Sequence, residues 1–193
     1  MEKIQLTQTA LPGVLLLEPK IFEDDRGWFY ESWNKSLYSS LGINDDFVQD
    51  NESFSVQGVI RGLHYQKGEY AQSKLVRVLS GEILDIVVDI RLNSPTFGEY
   101  IGVHLSALNH KQLYIPRGFA HGFAAKSETV HLAYKCDNFY SPAHEGSILA
   151  DDPDLKIDWE TPREYMIFSV KERRAQSFAS YIDNPDFIFK QEV

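Results

Sequence analysis

The dominant rhythm along the chain is a period of two. Between residues 83 and 91, Leu84, Ile86, Val88 and Ile90 alternate with Ile83, Asp85, Val87, Asp89 and Arg91, the spacing of the two faces of a β-strand. The first set is wholly apolar and predicts a face in the core. The second mixes apolar and charged groups, which suits a pocket wall or a barrel interior better than open solvent. Short segments of similar character recur at residues 14–17, 47–49, 75–79, 101–105, 112–115 and 130–134. Turn formers punctuate the chain at Pro12-Gly13, Gln57-Gly58, Ser80-Gly81, Asn93-Ser94-Pro95 and Pro116-Arg117-Gly118. Many short strands broken by Gly and Pro predict a sandwich or barrel. One helix is predicted over residues 34–41, just before Gly42, and a second around residues 170–182. The acidic stretch 151–158 reads as a surface loop. A chain of 193 residues fits one domain, residues 1–193. The expected fold class is all-β, an antiparallel jelly-roll barrel with a few short helices.

Composition narrows the function. The 12 Phe, 10 Tyr and 3 Trp favour strands, or a pocket for a flat ligand. A formal net charge of -9 and a pI near 5.1 argue against a nucleic-acid or anionic-membrane binder, which needs basic surface. A local basic cluster could still hold a small anion. Cys136 is the only cysteine, so neither an intrachain disulfide nor a CxxC zinc site is expected. Met1, Glu2, Lys3, Ile4, Gln5 and Leu6 lack the pattern of a secretory signal, and the apolar run 14–17 is far too short to span a bilayer. A soluble, cytoplasmic protein is expected.

Chemistry centres on the histidines. Of His64, His104, His110, His121, His131 and His144, most are expected to be surface or satisfied core groups. Two have unusual settings. His64 sits in Arg61-Gly62-Leu63-His64-Tyr65-Gln66, and His121 in Ile115-Pro116-Arg117-Gly118-Phe119-Ala120-His121-Gly122-Phe123, where glycines permit close backbone approach to a ligand. Pro116-x-Gly118-x-x-His121 resembles the second motif of the cupin superfamily, whose histidine is commonly a metal ligand. The first motif would need a His-x-His pair, and His64-Tyr65-Gln66 lacks the second histidine. With Glu69 the set is incomplete, so no metal is expected. Metal-free acid–base work is the stronger reading. Arg26, Arg61, Lys74, Arg77, Lys135 and Lys171 fall near Glu31, Gln49, Asn51 and Glu145, as in a pocket for phosphate oxygens.

Taken together, the motifs resemble the dTDP-4-dehydrorhamnose 3,5-epimerase family over residues 11–172. The likeness rests on Phe22-Glu23-Asp24-Asp25-Arg26-Gly27-Trp28-Phe29-Tyr30-Glu31, Val48-Gln49-Asp50-Asn51, the His64 segment and Gln72-Ser73-Lys74-Leu75-Val76-Arg77. It continues through Val88-Asp89-Ile90-Arg91 with Ser94-Pro95-Thr96-Phe97-Gly98, residues 115–123, Tyr134-Lys135, and Tyr140-Ser141-Pro142 with Glu145. The resemblance implies a homodimeric, cupin-like jelly roll acting on dTDP-4-dehydro-6-deoxy-D-glucose, without cofactor, in dTDP-L-rhamnose synthesis. By the same resemblance His64 is the base, Tyr134 the acid on the opposite face, and Lys74 the stabiliser of the enolate oxygen. Arg26, Glu31, Gln49, Asn51, Arg61, His121, Glu145 and Lys171 are binding residues, and Tyr140 stacks on thymine. One departure stands out. The family's usual Ser-x-Lys-Asp reads Ser169-Val170-Lys171-Glu172 here. Glu172 keeps the charge needed to orient His64, with Asp85 as a competing partner. A 3-epimerase of a related sugar nucleotide and a non-catalytic sugar-nucleotide-binding cupin are the alternatives.

Overall fold

The computed structural model describes residues 3–190, and the alternation along the chain resolves there into strands. The first are β1 (Ile4–Gln8), β2 (Leu15–Pro19), β3 (Phe22–Asp24) and β4 (Gly27–Phe29), followed by α1 (Lys35–Ser40). Then come β5 (Gln49–Val56), β6 (Ile60–Gln66), β7 (Lys74–Ser80), β8 (Glu82–Asp89), β9 (Arg91–Leu92) and β10 (Tyr100–Ser106). The chain continues through β11 (Gln112–Ile115), β12 (Phe119–Ala125), β13 (Thr129–Cys136) and β14 (Glu145–Ser147) to α2 (Phe178–Asp183) and β15 (Phe187–Ile188). One sheet has the order β1-β2-β11-β7-β13-β5 and the other β10-β8-β12-β6-β14. All pairing within these two sheets is antiparallel. They face one another as a jelly-roll barrel, the expected fold class.

Three apolar clusters hold this arrangement. Val76, Val78, Val87, Leu113, Phe119, Phe123 and Leu132 fill the space between the sheets. Leu84, Ile86, Val88 and Ile90, the apolar face read from β8, lie on the outside of the smaller sheet. They are covered by Leu155, Trp159, Phe178 and Tyr181, so β8 is buried on both faces. The third cluster packs Tyr38 of α1 against Leu15, Leu17 and Leu75 on the outer face of the larger sheet. Asn34 caps α1, its side chain accepting from Leu37 N at 3.2 Å.

Two expectations need correction. The helix placed at 170–182 is only α2, preceded by a single 3-10 turn at Glu172–Arg174. Stretch 151–158 is irregular but only partly surface: Asp152 is 2% exposed. Its carboxylate accepts from Phe178 N at 2.8 Å, pinning the loop to α2. Buried polar backbone must find partners, and here a carboxylate supplies one.

Candidate active site

Alternation on β5, β7 and β13 aims Gln49, Asn51, Ser53, Lys74 and Tyr134 inward from the larger sheet. Strands β6 and β12 bring Arg61, His64 and His121 from the smaller one. These residues, with Gln66, Gln72, Phe123, Leu132, Tyr140 and Glu145, line a cavity of about 370 Å³ between the sheets. The two motif histidines are direct cross-strand partners, His121 opposite His64. Their neighbours explain the glycines. A Cβ on Gly62 would stand 2.5 Å from Gly122 Cα, and one on Gly122 would stand 2.6 Å from the Arg61 carbonyl oxygen. Gly62 and Gly122 thus permit the close approach of β6 to β12, and Gly122 also lines the cavity. At Gly118 a Cβ would instead meet Arg91.

Electrostatics differ from one side chain to the next. Burial and the nearby Lys74 ammonium push the His64 imidazole down to about 4, so it is neutral at physiological pH. Its Nε2 is buried without a hydrogen-bond partner among the described residues. Lys74 is itself lowered by burial, with Cys136, Asp85 and Glu145 acting in the opposite direction. Its Nζ lies 5.9 Å from the centre of the Tyr134 ring. Burial raises Tyr134, keeping the phenol protonated. Burial also pushes the Cys136 thiol up to about 11, and its sulfur accepts from Asn51 Nδ2 at 3.6 Å. His121 Nε2–H donates to Asp85 Oδ1 at 2.7 Å.

At the mouth, Glu145 takes two donors. Tyr140 Oη donates to its Oε2 at 2.8 Å and Lys171 Nζ to its Oε1 at 2.5 Å. Burial raises the carboxyl, but these partners outweigh burial and hold it below the usual range. Gln49 Oε1 accepts from Tyr140 N at 3.0 Å, which fixes the ring beside the cavity.

Among the expected site residues, Gln49, Asn51, Arg61, His64, Lys74, His121, Tyr134, Tyr140 and Glu145 meet at this cavity, with Lys171 at its rim. Three do not. Arg26 lies on the β3–β4 hairpin, with its side chain 88% exposed and paired to Asp24. Glu31 binds Lys3 and Asn34. Glu172 is buried, but its Oε2 accepts from Ser169 N at 2.6 Å. This bond ties Glu172 to the residues just before its 3-10 turn, and its carboxylate meets His64 through its field and not through a hydrogen bond. Asp85 goes to His121 and leaves His64 unbonded. Arg77 and Lys135 face the outside of the larger sheet, where Lys135 pairs with Asp50 at 2.9 Å. Ser53, Gln66 and Gln72 were missed, although the spacing of Gln49 and Asn51 already points to residue 53. Among the described residues, no three His, Cys, Asp or Glu side chains gather to hold a metal ion, and no helix is long and apolar enough to cross a membrane.

Fold and cavity define a class: a jelly-roll barrel with a neutral imidazole, an ammonium and a phenol around one space, equipment suited to moving protons on carbon. The model of the dTDP-4-dehydrorhamnose 3,5-epimerase family matches residues 8–180. The dTDP-4-dehydrorhamnose 3,5-epimerase of Salmonella typhimurium is 55% identical over 79% of this chain and 84% of its own length. A crystal structure of the enzyme of that name from Elizabethkingia anophelis covers 92% of this chain and 98% of its own, at 50% identity and a TM-score of 0.88. The dTDP-6-deoxy-D-glucose-3,5-epimerase of Legionella pneumophila, solved in complex with dTDP-4-keto-L-rhamnose, reaches a TM-score of 0.92 at 46% identity. It covers 98% of this chain and all of its own. The chain belongs to the dTDP-4-dehydrorhamnose 3,5-epimerase family.

Proposed function

We propose that this chain inverts C3 and C5 of dTDP-4-dehydro-6-deoxy-D-glucose, giving dTDP-4-dehydro-L-rhamnose, by acid–base chemistry of its own side chains. The C4 ketone makes the protons on C3 and C5 removable. His64 takes one proton, the electron pair moves onto the ketone oxygen as an enolate, and the imidazolium releases its proton to solvent before the second carbon is inverted. The Lys74 ammonium, held in a desolvated site, stabilises that oxygen where charge develops. Tyr134 then delivers a proton to the opposite face of the same carbon, and its phenolate is reprotonated from solvent. A base that only returned its proton would give no inversion, so donors on opposing walls are required. The observation that carries this reading is the placement of His64 on the smaller sheet, with Tyr134 and Lys74 facing the same cavity from the larger one.

Tyr140 stacks on the thymine, while Gln49, Asn51, Arg61, His121, Glu145 and Lys171 bind the rest of the sugar nucleotide. Glu172 contributes through its charge. The working unit is a homodimer in the cytoplasm. The exposed Phe22, Trp28 and Phe29 of the β3–β4 hairpin, and Phe54 and Val56 on the edge strand β5, support association, since such apolar surface favours a partner. Arg26 and Glu31 stand outside this chain's own cavity, and in a dimer they complete that of a second copy. The test is turnover in deuterated water with the 4-keto sugar nucleotide, followed by NMR. Deuterium at both C3 and C5 is expected. Label at C3 alone would make the chain a 3-epimerase, and tight binding without label a non-catalytic binder.

A further inference from the structure

Among the described residues, three buried side-chain atoms have no hydrogen-bond partner: His64 Nε2, Asp85 Oδ2 and Ser53 Oγ. Native proteins satisfy nearly all such atoms, so each exception asks for a reason. His64 Nε2 belongs to the base. Asp85 has its other oxygen on His121 and faces the field of Lys74. Ser53 Oγ has no place in the chemistry described so far.

Its position is specific. The inward row of β5 is Gln49, Asn51, Ser53 and Ser55, and three of the four are engaged. Gln49 Nε2 donates to Asn51 Oδ1 at 3.0 Å, Asn51 Nδ2 donates to Cys136 Sγ, and Ser55 Oγ accepts from Arg61 Nε at 3.0 Å. Arg61 is fixed further by donating from Nη2 to Phe54 O at 3.1 Å. Ser53 alone is left open. Its cross-strand partner is Leu132, while Tyr134 stands opposite Asn51 one step along. Ser53 lines the cavity on this row between Asn51, which stands opposite Tyr134, and Ser55, which holds Arg61. An apolar residue would avoid an unmet hydroxyl at this point, and the space beside it is the one a ligand fills.

We propose that Ser53 is a further substrate-binding residue, whose hydroxyl donates a hydrogen bond to an oxygen of the sugar nucleotide held in this cavity. The proposal rests on the reading of this cavity as a sugar-nucleotide site. That oxygen belongs either to the diphosphate or to the sugar ring, and the experiment separates the two.

Ser53→Ala and Ser53→Thr are compared with the wild-type chain in turnover, in calorimetric binding of dTDP alone, and in thermal unfolding. Ser53→Ala is expected to raise KM about three- to tenfold for a neutral partner and more for a charged phosphate oxygen. Its Tm should hold or rise, since an unmet hydroxyl has been removed. Ser53→Thr, which keeps the hydroxyl, should recover most of the loss. A matching loss of dTDP affinity assigns the contact to the diphosphate. Unchanged dTDP affinity with raised KM assigns it to the sugar. KM and dTDP affinity both within twofold of wild type would overturn the proposal, as would a fall in Tm with unchanged KM, which marks a purely structural serine. Absence of wild-type turnover strikes the functional reading instead, and calorimetric binding of the intact 4-keto sugar nucleotide to wild type and Ser53→Ala then judges Ser53, equal affinities overturning the proposal.

Discussion

A histidine that titrates near 4 changes both catalysis and stability. Burial and Lys74 hold His64 neutral down to about 4, against an ordinary value of 6.5. The acid limb of kcat/KM set by His64 should therefore lie near pH 4, and a limb at 6.5 would count against a base in this setting. The unfolded chain protonates this imidazole below about pH 6.5, whereas the folded chain resists until about 4. Stability is thus full above the unfolded value and falls as pH drops through that window, by about 3 kcal/mol for a shift of this size. Chemical denaturation of wild type and His64→Asn at pH 7 and 4.5 should show the variant losing less. Lys74 gives a complementary test. Lys74→Met keeps the apolar stem but removes the charge, and steady-state kcat should fall about 100- to 1000-fold. That His64, Lys74 and Tyr134 share one cavity was legible in the motifs around them. The behaviour of Glu172 was not, because a hydrogen bond to the backbone just before its own turn depends on geometry that composition does not reveal.

At the scale of elements, β8 and β12 share one buried polar contact, Asp85 with His121. Asp85→Asn keeps the shape but offers the wrong partner on one rotamer and a weaker acceptor on the other. It should lower kcat/KM and cost about 1–3 kcal/mol of stability, read by paired kinetics and unfolding. Gly122→Ala forces a Cβ against the Arg61 carbonyl and should lower Tm through overpacking worth about 1–3 kcal/mol. Strand β8 was legible because its two faces differ. Strand β12 was not, since Phe119, Ala120, Phe123, Ala124 and Ala125 are buried whichever way they point. Most of β5 was passed over for the opposite reason: its inward row is polar because it lines a cavity, and polar alternating with polar looks like a loop. Strands β7 and β13, which carry Lys74 and Tyr134 to the same cavity, were legible from their apolar runs.

For the whole molecule, the proposed dimer makes a sharp prediction. If Arg26 of one copy serves the cavity of another, Arg26→Ala should raise KM with kcat little changed. Mixing Arg26→Ala with His64→Asn subunits should regenerate some sites with wild-type kinetics, measured as activity recovered on co-refolding. Strictly additive activities would mean each chain completes its own site. The division of labour between the sheets has a further consequence. The imidazole rides on one layer of the sandwich and the phenol on the other, and such layers sit about 10 Å apart at a distance set by their apolar filling. Val76, Val87 and Leu113 therefore act as shims in a caliper. Thinning or thickening them should leave isotope uptake from solvent running while stereochemical turnover drops, because one jaw can still pluck a hydrogen when the other no longer meets the carbon.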